Sequence, residues 1–241
     1  MKKIKGIDVS EHQGNINWNA VSREVGYAIL RAGYGKVITQ KDKQFENNYK
    51  GCKENNVPCG VYWYSYATSE DTARQEARVC LEVIKGKQFE YPIYFDVEEN
   101  SQFALGKDKV SKIIQAFCNE IENAGYWAGL YMSVSPLVSY VSADVRQRYA
   151  LWVAHYGVSK PSYSGDYGMW QYTSTGRVSG ISGNVDLDEC YVDYPDLIKS
   201  AGLNSYEKTS APSEPPADHN GLTGTLKLSD GSIYDITLKK Q

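Results

Sequence analysis

Apolar residues along the chain fall into two alternating rhythms. Short runs rich in Val, Ile, Tyr and Trp recur at Lys5–Val9, Tyr27–Gly33, Gly60–Tyr66, Pro92–Asp96, Ala128–Met132, Leu151–His155, Gly168–Tyr172 and Val185–Cys190. Their length and composition predict β-strands. Between them, helical periodicity predicts helices over Asn17–Glu24, Lys43–Asn55, Glu70–Ile84, Asp108–Ala124 and Pro195–Ser200. In Glu70–Ile84 the residues Ala73, Ala77, Cys80, Leu81 and Ile84 share one face; in Asp108–Ala124, Ile113, Ile114, Phe117 and Ile121 do the same. Gly125 stands where such a helix is expected to stop. Strands alternating with helices, at least through the fifth strand, predict an α/β parallel barrel. The last three strands are joined by Gly/Ser-rich stretches without helical periodicity. The expected fold is therefore an irregular TIM-like barrel of eight strands and about five helices, helix-poor at its end, with a doubly wound open sheet as the alternative.

The rhythm stops near residue 204. Residues 204–220 (NSYEKTSAPSEPPADHN) hold three of the chain's eight prolines and almost nothing apolar, which reads as an extended linker. Beyond it, two alternating runs flank Asp230-Gly231, a β-hairpin signal. The sequence thus divides into a main domain over 1–203, a Pro-rich linker over 204–220 and a hairpin segment over 221–241. An isolated hairpin is marginal in water. It is expected to dock on the barrel, to associate with another copy, or to tether the chain to a wall.

Composition narrows the function classes. The 241 residues carry a net charge of −3 and no Lys/Arg block, which argues against a nucleic-acid partner. No apolar run approaches the ~20 residues that span a bilayer. The basic start Met1-Lys2-Lys3 is not followed by an apolar stretch, so no Sec signal peptide is expected. Export would then depend on lysis, a holin-type pore or a non-Sec route. Cys52, Cys59, Cys80, Cys118 and Cys190 show no C-x-x-C or metal spacing and read as small buried hydrophobes. No metal or organic cofactor is implied. With 20 Tyr and 5 Trp the chain is rich in flat rings with polar edges, which suit sugars as well as cores.

In a parallel barrel, chemistry sits at the carboxyl ends of the strands. Those ends carry Asp8, Arg31, Tyr62, Tyr64, Tyr66, Asp96, Glu98, Tyr131, Trp152, His155, Trp170, Gln171, Asp186 and Asp188. The sharpest element is Asp96-Val97-Glu98. Residues i and i+2 of a strand point to one face, roughly 6–7 Å apart, so both carboxyls enter one cavity and Val97 faces the helices. Each raises the proton affinity of the other, and one is kept as an acid near neutral pH, as protonation of a glycosidic oxygen requires. Glu99 faces away and reads as a surface or salt-bridge residue. Arg31 is expected to pair with a buried carboxylate at the barrel centre or to touch substrate. His12 and His155 lack an accompanying Ser or Cys nucleophile motif. With three histidines in all, and one of them in the linker, a zinc amidase is a poor fit. A Gly-rich phosphate loop is also missing after the first strand.

The ordered set Gly6-Ile7-Asp8-Val9-Ser10, Gln13-Gly14, Trp18, Arg31-Ala32-Gly33, Gly60-Val61-Tyr62-Trp63-Tyr64-Ser65-Tyr66, Phe95-Asp96-Val97-Glu98, Gly129-Leu130-Tyr131, Leu151-Trp152-Val153-Ala154, Trp170-Gln171-Tyr172 and Val185-Asp186-Leu187-Asp188 resembles glycoside hydrolase family 25 lysozymes, the N-acetylmuramidases of phage endolysins and bacterial autolysins. The resemblance covers roughly Lys5–Ser200 and leaves out the linker and hairpin. It implies a modified eight-stranded barrel with about five helices. It further implies hydrolysis of the β-1,4 bond between N-acetylmuramic acid and N-acetylglucosamine in bacterial peptidoglycan, outside the cell. By the same resemblance Glu98 is the general acid and Asp96 stabilises a substrate-assisted intermediate, with an inverting route left open. Asp8 and Asp186 complete the acidic cleft, and Tyr62, Tyr64, Tyr131, Trp152 and Gln171 line the subsites. Asp188 departs from the Asn that often stands at its place and is not counted among the site residues. The competing readings are a wall-binding module without turnover and a related glycosidase acting on another amino-sugar polymer.

Overall fold

The computed structural model describes residues 3–208 and two further strands, Leu222–Lys227 and Ile233–Leu238. The first of these units is a closed barrel of eight strands: β1 (Ile4–Val9), β2 (Tyr27–Tyr34), β3 (Cys59–Tyr64), β4 (Ile93–Asp96), β5 (Ala128–Ser133), β6 (Ala150–Ala154), β7 (Met169–Gly176) and β8 (Val185–Cys190). All eight lie where the apolar runs predict them. Strands β1 to β7 pair parallel in sequence order, whereas β8 runs antiparallel to both β7 and β1. This corrects the expectation of an all-parallel barrel. The connection 177–184 is shorter than the ~12 residues that a parallel crossover needs, so the chain can only turn back beside β7.

Around the barrel stand α1 (Trp18–Val21), α2 (Phe45–Glu54), α3 (Glu70–Ile84), α4 (Asn100–Phe103), α5 (Lys107–Asn123), α6 (Val134–Tyr140), α7 (Ala143–Arg148) and α8 (Tyr194–Ala201). The expected five are present, α1 as a single turn. Three more were not anticipated. Helix α4 is one turn, α6 spans seven residues and buries only Val134 and Leu137, and α7 buries only Val145, so none is long enough to show a helical apolar stripe. Helix α5 ends as predicted: Ala124 caps it and Gly125 takes φ +82°, a conformation that favours glycine.

The strands alternate between two cores, interrupted by register shifts after Arg31 and after Gln171. Ile7, Leu30, Val61, Trp63, Phe95, Leu130, Val153 and Leu187 face outward into the layer around the barrel, where Phe95 stacks on Phe117 of α5 at 4.0 Å. Tyr27, Ile29, Tyr94, Tyr131, Trp152 and Met169 fill the barrel. Rings this large need space that strand glycines supply. A Cβ on Gly6 would lie 2.2 Å from the Tyr27 ring, and one on Gly129 would lie 2.5 Å from Tyr94. The alternation sends Asp8, Tyr62, Tyr64, Asp96, Gln171, Asp186 and Asp188 inward with these rings. All five cysteines are buried free thiols.

Residues 204–208 belong to the barrel unit, which extends to Lys208. Asn204 is fully buried: its Nδ2 donates to the carbonyls of Phe89 and Tyr91 at 3.0 and 2.9 Å, and its Oδ1 accepts the Trp127 N–H at 2.7 Å. Residues 204–208, read from the sequence as the start of the linker, thus belong to this unit, and 209–220 lie outside the described residues. In the second unit, Leu222–Lys227 (β9) pairs antiparallel with Ile233–Leu238 (β10), Lys227 opposite Ile233 and Leu222 opposite Leu238. The Asp230-Gly231 turn lies outside the described residues.

Candidate active site

A cleft opens at the carboxyl end of β1 to β7. It is lined by Asp8, Arg31, Tyr62, Tyr64, Asp96, Glu98, Tyr131, Trp152, Gln171 and Asp186. All nine residues singled out from sequence as site residues meet here, joined by Arg31. Its volume of about 220 Å³ is below that of ordinary enclosed ligand pockets, ~300–1,000 Å³, so it is the floor of an open groove rather than a chamber. Because β8 is antiparallel, Asp186 enters from the amino end of its strand, opposite Asp8 on β1.

The floor is a chain of hydrogen bonds between groups that are buried except for Tyr156. Gln171 Nε2 donates to Asp8 Oδ2 at 2.6 Å. Gln171 Oε1 accepts the hydroxyls of Tyr131 at 2.7 Å and Tyr156 at 2.5 Å. Trp152 Nε1 donates to Asp188 Oδ1 at 2.8 Å, and its ring meets Tyr131 edge-on at 4.4 Å. Tyr131, Trp152 and Gln171 are nearly wholly buried, whereas Tyr62 and Tyr64 are half-buried and reach the groove. Tyr156 and Asp188 were not selected from sequence. Tyr156 continues the inward parity of Trp152 and Ala154 past the strand end, and that parity is the signal that would have found it.

Asp96 and Glu98 stand on one side of this floor. Asp96 is buried with its Oδ1 unpartnered, while Glu98 is exposed at the mouth. Burial, then the neighbouring Glu98 carboxylate, pushes the Asp96 pKa well up, against the pull of Arg31. Loss of solvent around its carboxyl, then Asp186 and Glu99, raises that of Glu98. Asp8 is raised by burial, then by Asp188 and Asp186, and Asp186 by burial. Several acids thus crowd a space with one guanidinium at its edge. Arg31 does not pair at the barrel centre as expected. Its Nε donates to Asp42 at 2.7 Å and its Nη2 to Glu11 at 2.9 Å. Among the described residues no group of three or more His, Cys, Asp or Glu is placed to hold a metal ion.

The loop that carries Glu98 is braced from behind. The Val97 N–H donates to the Tyr131 carbonyl at 3.3 Å and the Glu99 N–H to Gln102 Oε1 at 3.1 Å. Gln102, fully buried, donates through Nε2 to Ser65 Oγ at 3.0 Å and to the Ala67 carbonyl at 3.1 Å. Glu99 is no surface ion-pair residue: its Oε1 accepts the Tyr64 hydroxyl at 2.7 Å. On the far side of Ser65, the fully buried Glu76 of α3 accepts the Tyr66 N–H at 3.0 Å, and burial pushes its pKa up to about 7. A carboxyl whose folded pKa exceeds its unfolded one binds extra protons when folded, so stability falls as pH rises between about 4.5 and 7. Glu76→Gln is expected to remove this one contribution. Denaturant titrations should show the variant gaining roughly 2–3 kcal/mol on wild type between pH 4 and pH 8; an unchanged difference would mean that Glu76 titrates normally.

The comparisons with known proteins follow this geometry. Glycosyl hydrolases family 25 matches residues 7–181, a span that includes Asp8, Asp96 and Glu98 and ends before β8. The chain is 31% identical over 188 residues to an autolytic lysozyme of Clostridium acetobutylicum, covering 77% of this chain. It spans about half of that relative, 55% of its length. Among solved structures, the CTP1L endolysin superposes with a TM-score of 0.72 at 28% identity, over 83% of this chain and 70% of that one. The modular autolysin LytC of Streptococcus pneumoniae, in complex with a synthetic peptidoglycan ligand, gives a TM-score of 0.68 at 34% identity over 78% of this chain and 47% of that one. With a family match across most of the barrel and lysozyme, endolysin and autolysin relatives on the same fold, the chain belongs to glycosyl hydrolases family 25.

Proposed function

We propose that the chain hydrolyses bacterial peptidoglycan at the β-1,4 bond between N-acetylmuramic acid and N-acetylglucosamine, acting on the wall outside the cell. The observation that carries this reading is the Asp96–Glu98 pair at the groove: one carboxyl exposed where a substrate would reach it, one buried beside it, both raised in pKa. Glu98 serves as the general acid and protonates the leaving glycosidic oxygen. Asp96 holds the N–H of the 2-acetamido group while its carbonyl oxygen attacks the anomeric carbon, so the sugar itself supplies the nucleophile and configuration is retained. Asp8 and Asp186 keep the cleft negative, which favours the protonated form of Glu98 and the developing positive charge of the sugar ring. Tyr62 and Tyr64 offer ring faces to the sugars.

The test is mass spectrometry of borohydride-reduced products from purified peptidoglycan. Reduced muramic acid ends support the reading, and reduced glucosamine ends would reverse the subsites. Absence of new ends would leave a wall-binding module. The same reading sets a pH expectation. Glu98 works only while protonated, so kcat/KM falls as pH rises through its raised pKa. The alkaline limb of the profile should lie above the ordinary carboxylate range near ~4.3. A limb at or below that value would remove Glu98 as the acid.

A further inference from the structure

Asp188 is the one carboxylate of the barrel interior that the reaction above leaves without a task. It is fully buried on β8, in register with Gly6 of β1 and Gln171 of β7. Its Oδ1 accepts the Trp152 Nε1–H at 2.8 Å. Its Oδ2 is buried, and no N–H or O–H donor reaches it. Asp8 lies diagonally across the β1–β8 ladder from it on the same inward face, two residues beyond Gly6. Asp8 in turn receives the Gln171 Nε2–H on Oδ2.

The groups facing Asp188 are all neutral or acidic. They are Asp8 on β1, Tyr27 on β2, Trp152 on β6, and Asp186 and Cys190 on β8, with Tyr172 on β7 further away. Arg31 is held by Asp42 and Glu11. Two buried carboxyls side by side, without a cation between them, do not both ionise. The Trp152 N–H already occupies Asp188 Oδ1, which leaves Oδ2 for a proton.

We propose that Asp188 is a positioning residue that carries the one proton of the Asp8–Asp188 pair on Oδ2 and donates it to Asp8 in a hydrogen bond. Asp8 is then an anion fixed from two sides, by Gln171 and by Asp188, beneath the groove. The strong upward push of burial on both carboxyls is consistent with one shared proton. The consequence for turnover rests on the hydrolase reading; the protonation does not.

Three readouts test the proposal on the full chain. First, the wild-type minus Asp188→Asn infrared difference spectrum at neutral pH should contain the C=O stretch of a protonated carboxylic acid. Second, native electrophoresis at pH 7 should show Asp188→Asn moving with wild type, against the one-charge step of an exposed control, Asp166→Asn. Third, Asp188→Ala should lose at least roughly tenfold in kcat on peptidoglycan, because Asp8 loses a buried donor. Asn at position 188 should recover most of that loss, whereas Asn at position 8 should not. A full charge step for Asp188→Asn, or a difference spectrum without that band, would overturn the shared proton. Recovery by Asn at position 8 instead of 188 would overturn the assignment of the donor. If wild type releases no sugar ends at all, the hydrolase reading fails, while the first two readouts still decide the protonation.

Discussion

Glu98→Gln is expected to lower peptidoglycan hydrolysis about 10²–10⁴-fold, the usual contribution of a positioned general acid. The amide keeps the shape of the carboxyl but has no acidic proton to deliver to the leaving oxygen. Folding should be unaffected. Glu98 is exposed at the mouth of the groove, and the bonds that brace its loop are made by Val97, Glu99 and Gln102 instead. Its stability should remain within about 0.5 kcal/mol of wild type, as for other exposed sites. Removing a carboxyl among Asp96, Asp186 and Glu99 also relieves like-charge crowding, so any small change should be a gain. The check is the rate of reducing-end release beside a thermal melt. Hydrolysis within about tenfold of wild type, with an intact fold, would take the acid role away from Glu98.

Asn204→Ala is expected to have the largest effect on stability, a loss of about 3–5 kcal/mol. The substitution leaves the Trp127 N–H and the Phe89 and Tyr91 carbonyls without their partner in a buried site, and each orphaned group costs about 1–3 kcal/mol. For a domain of this size the midpoint of thermal unfolding should drop by roughly 10 °C. The same contacts predict where the chain tolerates truncation. Ending it after Lys208 keeps the clamp, whereas ending it after Leu203 removes it and should reproduce the loss seen with Asn204→Ala. Equal melting of the two truncated forms would show that Asn204 contributes little.

Much of the barrel was legible because its information is local. A two-residue alternation of inward and outward side chains is written into every strand, and it places Asp8, Asp96, Gln171 and Asp186 inside without any knowledge of neighbours. What stayed hidden depends on partners distant in sequence. Asn204 looks like linker because its neighbours are polar; its role appears only when the carbonyls of Phe89 and Tyr91 are beside it. Glu99 looks solvent-facing by parity until the Tyr64 hydroxyl is seen on it. The partner of Arg31 is hidden for the same reason, since Asp42 is a buried carboxylate from the connection after β2 rather than from the barrel centre. The direction of β8 was hidden too: the predicted strand ends leave residues 173–184, long enough for a crossover, and only the extension of β7 to Gly176 shortens the connection to 177–184.

The antiparallel β8 has a consequence for how the chain is made. It is the strand that joins β7 back to β1 and brings Asp186 opposite Asp8, across nearly the whole domain in sequence. Contacts this distant slow folding, because the closure entropy must be met before they form. On the ribosome, a chain finished only through β7 has every strand of the parallel sheet but two open edges, on β1 and β7, which are templates for pairing with other chains. A nascent chain stalled before Val185 therefore has an incomplete acidic cleft and a sticky sheet. The chain completes its cleft and closes its open edges in the same late event of synthesis.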